Sequence, residues 1–421
     1  MLIEFKVTNF RSIRETQTLS LVANSSKELL EENTFDTGIK GFPRLLRSVV
    51  IYGPNAAGKS NLCHAMWFMR LFVINSAQEK QAGDEIPATP FLFDRTRKSH
   101  PSEFEIIFIH KGIRYQYGFA INVRRIIHEW LLAYPLGKAQ RWFERKFNPN
   151  TQRDKWEFGS KFKSRKRFLQ EATRDNALFL STAIQLNNEQ LMPVFDWFNS
   201  AFNIFSSVHT LQPDYTVGLC EESSGKNLVI KFMNEADLSI ANISLEKNKL
   251  SLKYLPKGMP REIKEQIRSD LQENLKIIFF HNVKGSTKNI GLDFGHESDG
   301  TQKLFSIACP ILNTLAQGNV LVVDELDNSL HPLLVRYLIN FFHDPKLNNK
   351  NSQLIFATHD TSLLDKEIFR RDQVWFVEKD KHNSTQLYPL SDFKPRKGEA
   401  LAKGYLQGRY GALPFIGDFK I

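Results

Sequence analysis

Apolar and polar positions alternate along "MLIEFKVTNFRS", and this period of two predicts a strand over Leu2 to Val7, with a second over Leu19 to Val22. "RSVVIYG", Arg47 to Gly53, is apolar without alternation, as in a strand buried on both faces. "KSNLCHAMWFMRLFVINS" then spaces its apolar residues as a helix does. From Phe104 to Pro135 the text is strand-rich, with Lys111-Gly112 as a hairpin turn signal. Polar and helical text runs from about Ser164 to Phe205. Strands are expected at Leu228 to Phe232 and Leu250 to Tyr254, and an amphipathic helix over Arg261 to Lys276. The last third alternates strand and helix: "NVLVVDELD" (Asn319 to Asp327), "PLLVRYLINFFHD", "SQLIFATHD" (Ser352 to Asp360) and "QVWFVEKD". No fixed-period repeat, low-complexity tract or long heptad segment interrupts this order. It predicts an α/β fold whose two halves are separated by a long insertion.

Composition changes the picture in three places. At 421 residues, 42% hydrophobic and 24% charged, the chain reads as an ordinary globular protein of two or three domains. No run approaches the roughly 20 apolar residues of a membrane span. The start has no basic-then-apolar signal, and Cys63, Cys220 and Cys309 are isolated, so a cytoplasmic protein without membrane attachment is expected. Net charge is +10 and uneven: Lys138 to Arg167 holds eleven Lys or Arg against three acidic residues, interleaved with Trp142, Phe143, Phe147, Trp156, Phe158 and Phe162. Such a surface suits nucleic acid. A solvated hairpin with a buried aromatic face, or a surface for an acidic protein, has the same text.

The candidate chemistry sits at the ends of the apolar strands. "GPNAAGKS", Gly53 to Ser60, fits G-x-x-x-x-G-K-S between an expected strand and an expected helix. Its backbone would curl N–H groups around a phosphate, Lys59 would bridge the β- and γ-phosphates, and Ser60 would hold Mg²⁺. Gly53, Asn55, Ala57, Gly58, Lys59, Ser60 and the following Asn61 form the candidate nucleotide-binding set. "VLVVDE", Val320 to Glu325, ends a strand in two carboxylates: Asp324 suits the Mg²⁺ shell and Glu325 the attacking water, although paired acids also simply begin loops. "FATHD" sets His359 just past the next strand, where open α/β sheets bind ligands and where a γ-phosphate could be sensed. ATP and GTP both stay open, because phosphate recognition says little about the base.

"GHESDGTQKL", Gly295 to Leu304, is a loop running into a helix whose start carries a hydroxyl and a glycine, and a helix start attracts anions. "ESDGTQ" resembles, in degenerate form, the signature motif of ATP-binding-cassette (ABC) ATPases. The order of phosphate loop, long insertion, signature, carboxylate pair and histidine resembles that family as well. The resemblance implies an ABC-ATPase head: a mixed, largely parallel sheet with flanking helices plus an antiparallel β subdomain, split by a long, partly helical insertion. It implies ATP and Mg²⁺ as cofactors and a homodimer or higher assembly in which Ser298, Gly300 and Gln302 reach the nucleotide held by a second copy. "DELDNSLHP" looks like the family's dimer-contacting loop, with His331 where many relatives carry Asp. The family's glutamine-bearing loop fits Gln78 or Gln185. The expected divisions are 1–95 (N-terminal lobe with the phosphate loop), 96–160 (antiparallel β region), 161–285 (largely helical insertion), 286–390 (C-terminal lobe with signature, carboxylates and histidine) and 391–421 (tail).

"IEFKVTNFRSI" followed by "VVIYGPNAAGKSNL" resembles the chromosome-maintenance and recombination (SMC and RecF) branch. "DELDNSLHP", "ATHDTSLLD" and "KGYLQGRYGALPFI", Lys403 to Ile416, look more narrowly like OLD-like and RloA or AbiL ATPases of anti-phage and abortive-infection loci. Relatives there often work with a separately encoded nuclease. Only 62 residues follow His359, too few for the usual nuclease module, so a nuclease or toxin effector on another chain is expected. A repair or recombination clamp acting directly on DNA is the alternative. A scaffold with a relic nucleotide site is a third reading, against which intact Lys59, Asp324, Glu325 and His359 weigh.

Overall fold

Strand Ser48–Tyr52 is buried along its whole length because it has parallel neighbours on both sides. The architecture comes from a computed structural model that describes every residue except 80, 206–210, 248–274, 284, 286–287, 397 and 415–421. The chain divides into two compact units, Met1–Thr210 with Thr314–Asn328 and Leu338–Ile421, and Leu211–Asn313 with Ser329–Tyr337.

The first unit holds two large sheets. One is six-stranded, in the order Phe202–Phe205, Val320–Val323, Gln353–Ala357, Ser48–Tyr52, Val374–Lys379, Thr385–Pro389. Its first five strands are parallel and the last is antiparallel. The other is a seven-stranded antiparallel sheet: Arg153–Phe158, Gln140–Asn148, Ile126–Tyr134, Ile113–Ile121, Ser102–His110, Leu2–Thr8, Gln17–Ser20. The sequence pattern explains the difference. Val320–Val323 and Gln353–Ala357 are buried at every position, as strands covered on both faces must be. In Ser102–His110, Phe104, Ile106 and Phe108 face the core while Glu103 and Glu105 point outward. Helix Lys59–Asn75 turns Leu62, Cys63, Met66, Met69 and Val73 into the same core. Lys111 and Gly112, with φ of 49° and 76°, make the expected tight turn between the first two long strands.

Buried polar side chains join distant segments. Gln353 accepts from the Leu2 amide (2.6 Å) and donates to the Leu2 and Leu46 carbonyls, tying the two sheets. Glu129, fully buried, accepts from the amides of Phe179 and Leu180 and from the Tyr117 hydroxyl, which satisfies the start of helix Phe179–Gln185. His343 lies 2.7 Å from the Ser48 hydroxyl in a closed pocket.

The second unit contains helices Asp214–Cys220 and Ser223–Glu235 and the antiparallel sheet Ile240–Lys247, Leu275–His281, Ile290–Asp293. Helices Asp299–Gln317 and Pro332–His343 each carry residues of both units. The expected strand Leu228 to Phe232 is instead part of helix Ser223–Glu235. Its buried residues, Gly225, Val229, Phe232 and Met233, recur at three and four, which a five-residue apolar window does not display. The expected strand Leu250 to Tyr254 and most of the expected helix Arg261 to Lys276 lie outside the described residues. The last two positions of that helix, Leu275 and Lys276, open a strand. Among the described residues no helix is long and apolar enough to cross a membrane.

Burial lowers the His343 pKa from 6.5 to about 3, with Arg47 adding to the shift. The unfolded chain therefore takes up a proton below pH 6.5 that the folded chain refuses. Stability is expected to fall by about 1.4 kcal/mol per pH unit on this account as pH drops through that window. Denaturant melts at pH 7, 6 and 5 check it, and His343→Gln should flatten the slope by one proton.

Candidate functional site

The phosphate-loop strand ends at Tyr52, and Gly53 to Gly58 curl over the C-terminal edge of the parallel sheet before helix Lys59–Asn75 begins. Two close approaches set that curl. A Cβ on Gly53 would fall 2.2 Å from the Val377 carbonyl oxygen, and one on Gly58 (φ 118°) would fall 2.1 Å from Thr385 Oγ1. Thr385 donates to the Ala57 carbonyl (2.9 Å) and shares a hydrogen bond with Ser12 (2.7 Å). Asn61 donates to the Ser12 hydroxyl (2.7 Å), so this candidate ligand buttresses the loop from behind. Asn55 is exposed and Ala57 is buried.

Lys59, only 5% exposed, donates to the carbonyls of Gly53 (2.8 Å) and Pro54 (3.2 Å). Burial lowers its pKa, while the charges of Asp324, Glu325 and Asp327 act in the opposite direction. Asp324 caps the buried strand Val320–Val323, and its amide donates to the Phe205 carbonyl (3.0 Å) of the edge strand. Burial raises the Asp324 pKa against the hydrogen bond from Ser60. Its Oδ1 is buried, with no hydrogen-bond partner among the described residues. Glu325 follows with φ of 53°, a left-handed conformation that costs a non-glycine residue about 1 kcal/mol or more.

His359 is exposed just past the next strand, and its amide donates to Asp327 Oδ2 (3.1 Å). Partial burial and the Lys59 charge lower its pKa, opposed by Asp327, Glu325 and Asp324. Lys59, Ser60, Asp324, Glu325 and His359 thus come together at one sheet edge. A cavity of about 560 Å³ opens beside them. Its walls are residues 53–57, His359 and Thr361, the strand end Glu378–Lys379, and Tyr405, Leu406, Leu413 and Pro414 of the C-terminal tail.

The residues fit a hard cation: an unpartnered buried carboxylate oxygen stands next to a serine hydroxyl. Among the described residues no group of three or more Asp, Glu, His or Cys could hold a metal, so such an ion would draw its other ligands from phosphate and water.

Ser298, Gly300 and Gln302 belong to the second unit. The Ser298 hydroxyl accepts from the Thr301 amide (3.1 Å), capping helix Asp299–Gln317. Gln302 donates to the Glu297 carbonyl (2.9 Å). Gly300 is required on its inner side, where a Cβ would meet the Ser329 carbonyl oxygen at 2.9 Å. His331 accepts the Leu333 amide at Nδ1 (3.2 Å), the capping bond an Asp would make before helix Pro332–His343. Gln78 and Gln185 are both exposed, and among the described residues no hydrogen bond joins either to the phosphate loop. Sequence reasoning missed Ser12, Tyr52, Asp327 and Thr385, whose roles depend on partners far along the chain.

Gly58→Ala is expected to cost about 2 kcal/mol or more, because the clash with Thr385 adds to the strained φ. Gly38→Ala, at φ 74° with no atom within 4 Å, carries the strain alone and should cost about 1 kcal/mol. Denaturant midpoints of the two variants separate the contributions.

The family described as "AAA domain, putative AbiEii toxin, Type IV TA system" matches residues 48–365. Three solved structures are similar at low identity. The Smc head bound to the C-winged helix domain of ScpA has a TM-score of 0.42 at 11% identity, over 92% of this chain and 97% of that one. The SMC head domain from Thermotoga maritima has 0.39 at 12%, over 92% and 98%. The Smc head domain with an extended coiled coil, bound to the C-terminal domain of ScpA derived from Pyrococcus furiosus, has 0.39 at 13%, over 97% and 99%. No curated protein matches the chain. The family match spans the phosphate loop, the carboxylate pair and the histidine, and the chain belongs to this family of AAA-type ATPase domains.

Proposed function

We propose that this chain binds and hydrolyses ATP, closes with a second copy of itself around the nucleotide, and thereby sets the state of a separately encoded nuclease or toxin in anti-phage defence. The observation that carries the reading is the convergence of Lys59, Ser60, Asp324, Glu325 and His359 at one sheet edge, with a carboxylate oxygen of Asp324 buried and unpartnered. The family description, which names a putative AbiEii toxin and a Type IV TA system, supports a toxin-linked setting. The likeness to RloA and AbiL ATPases rests on the sequence motifs.

In this reading Lys59 swings its ammonium from the Gly53 and Pro54 carbonyls to the β- and γ-phosphate oxygens, exchanging weak acceptors for charged ones. Ser60 and Asp324 would hold Mg²⁺, which would supply charge neutralisation at the phosphates. Glu325 orients a water and takes its proton. His359, whose pKa is lowered by partial burial in the nucleotide-free chain, offers one N–H to the γ-phosphate. The amides at the start of helix Asp299–Gln317, with Ser298 and Gly300, cap the phosphate of the other copy.

ATP with Mg²⁺ at about 100 times its Kd should stabilise the wild-type chain by about 2.7 kcal/mol, read as a thermal shift. Lys59→Ala should lower nucleotide affinity about a hundredfold and cut that stabilisation to about 0.4 kcal/mol. Glu325→Gln should keep the shift, lose turnover and accumulate dimers in sedimentation. An unchanged Lys59→Ala protein would place the site elsewhere.

One observation favours direct action on nucleic acid as a second reading. Part of the basic stretch is paired: Arg141 with Glu144 and Glu157, Arg145 with Asp154, Lys155 with Glu157 and Arg167 with Glu171. Lys161, Lys163 and Arg165 are exposed and make no ion pair among the described residues. Lys163 and Arg165 line a groove of about 650 Å³ with Phe168, which is 53% exposed. Anisotropy of a labelled single-stranded oligonucleotide at 50 and 200 mM salt tests it. Replacing the three cations by Ser should reduce the salt slope by about 2. Absence of wild-type binding would sink this reading.

A further inference from the structure

We propose that Tyr52, and behind it Tyr405 of the C-terminal tail, are positioning residues that hold the His359 turn at a set distance from the phosphate loop. The inference rests on the reading of His359 as a γ-phosphate contact. Tyr52 is the residue immediately before Gly53, and its hydroxyl donates to the carbonyl of Asp360, the residue immediately after His359 (3.0 Å). A single side chain therefore bridges the strand that launches the phosphate loop and the turn that carries the histidine. On the other side of the turn, Asp327 accepts the His359 amide. The turn is thus held by the phosphate-loop strand and by the carboxylate loop at once.

Tyr52 is 1% exposed, and burial raises its pKa well above the usual phenol range, so it remains a donor. Its ring packs against both Phe376 (6.4 Å) and Tyr405 (5.9 Å), which stack on each other (5.3 Å). Tyr405 donates its own hydroxyl to the Ala412 carbonyl (2.9 Å) and so reaches Tyr52 through its ring. The tail that supplies Tyr405 is anchored at several points. The Ala412 amide donates to Glu378 (2.8 Å), Tyr388 donates to the Tyr410 carbonyl (3.0 Å), and a Cβ on Gly411 would fall 2.6 Å from the Tyr388 hydroxyl. Helix Leu401–Leu406 also packs against the short turn Thr361–Leu363 that follows His359. The tail is a load path from the outer strands Val374–Lys379 and Thr385–Pro389 to the histidine turn.

The consequence separates binding from turnover. The phosphate loop keeps its own buttress through Thr385 and Ser12, so nucleotide affinity does not depend on Tyr52. Alignment of His359 does, and reacting groups lose rate when they drift by fractions of an ångström.

The test uses the full chain with Tyr52→Phe, Tyr405→Ala and Tyr405→Phe. In nucleotide-free protein, hydrogen exchange of the peptide covering Ser362, Leu363 and Leu364 should quicken about fivefold or more in Tyr52→Phe and Tyr405→Ala and stay at the wild-type rate in Tyr405→Phe. With ATP, kcat should fall about five- to tenfold in the first two while KM and the nucleotide-dependent thermal shift hold, and Tyr405→Phe should restore kcat. Unchanged exchange in Tyr52→Phe would overturn the inference. So would a fall in nucleotide affinity matching the fall in turnover, which would mark a general structural role. A wild-type chain that neither binds nor hydrolyses ATP would sink the functional reading instead, and the exchange rates would then decide the coupling on their own.

Discussion

A lysine ammonium and an aspartate carboxylate held largely out of water are the constraint around which the first unit is arranged. Either group alone in an apolar interior would lose several kcal/mol of hydration. Lys59 survives there on two carbonyls and the pull of nearby acids, and Asp324 on one serine hydroxyl. Those partners are in place only if the strands Ser48–Tyr52 and Val320–Val323 run parallel and end at the same edge, with Gln353–Ala357 between them. The glycine contacts with Val377 and Thr385 then fix how far the loop can curl. Incomplete satisfaction is itself informative: a buried carboxylate oxygen without a partner is costly, and it stands where a cation would remove the cost.

The parallel strands and their terminal residues were legible because burial on both faces leaves an uninterrupted apolar run, and phosphate chemistry asks for specific residues immediately after it. The long hairpins of Phe104 to Pro135 were legible for the opposite reason, since one solvated face imposes alternation. What stayed hidden was short or distant. Phe202–Phe205 is a four-residue strand in text that reads as helical, yet it flanks the carboxylate strand. Ser12, Tyr52 and Thr385 are individually ordinary, and only pairing across up to 373 positions gives them meaning. The local pairing within the basic stretch was also hidden. Strand register sets Arg141, Arg145 and Lys155 near Glu144, Glu157 and Asp154, and charge counted along the chain says nothing of that.

In the signature-like loop the residue types have local structural reasons. Ser298 caps its helix and Gly300 admits the Ser329 carbonyl, so both residue types have local reasons to be there. Local satisfaction does not compete with a role in holding a phosphate, since a capped helix start still presents its remaining first-turn amides. His331 makes the same point from the other direction: a change of residue type that keeps the capping bond preserves the helix start and alters only what the side chain shows to its surroundings.

The clasp between Gln353 and Leu2 bears on how the chain comes to be folded at all. The opening strand has its backbone satisfied by a side chain 351 positions away. A ribosome adding about 5–20 residues per second needs tens of seconds to supply that partner. Until then the Leu2 amide and carbonyl lack that partner, although the rest of the strand can already pair with Gln17–Ser20 and Ser102–His110. The phosphate-loop strand waits as well, because its neighbour Gln353–Ala357 arrives in the same late stretch. Such a topology folds slowly and late, and during synthesis the nascent chain exposes sticky strands that a chaperone would be well placed to cover.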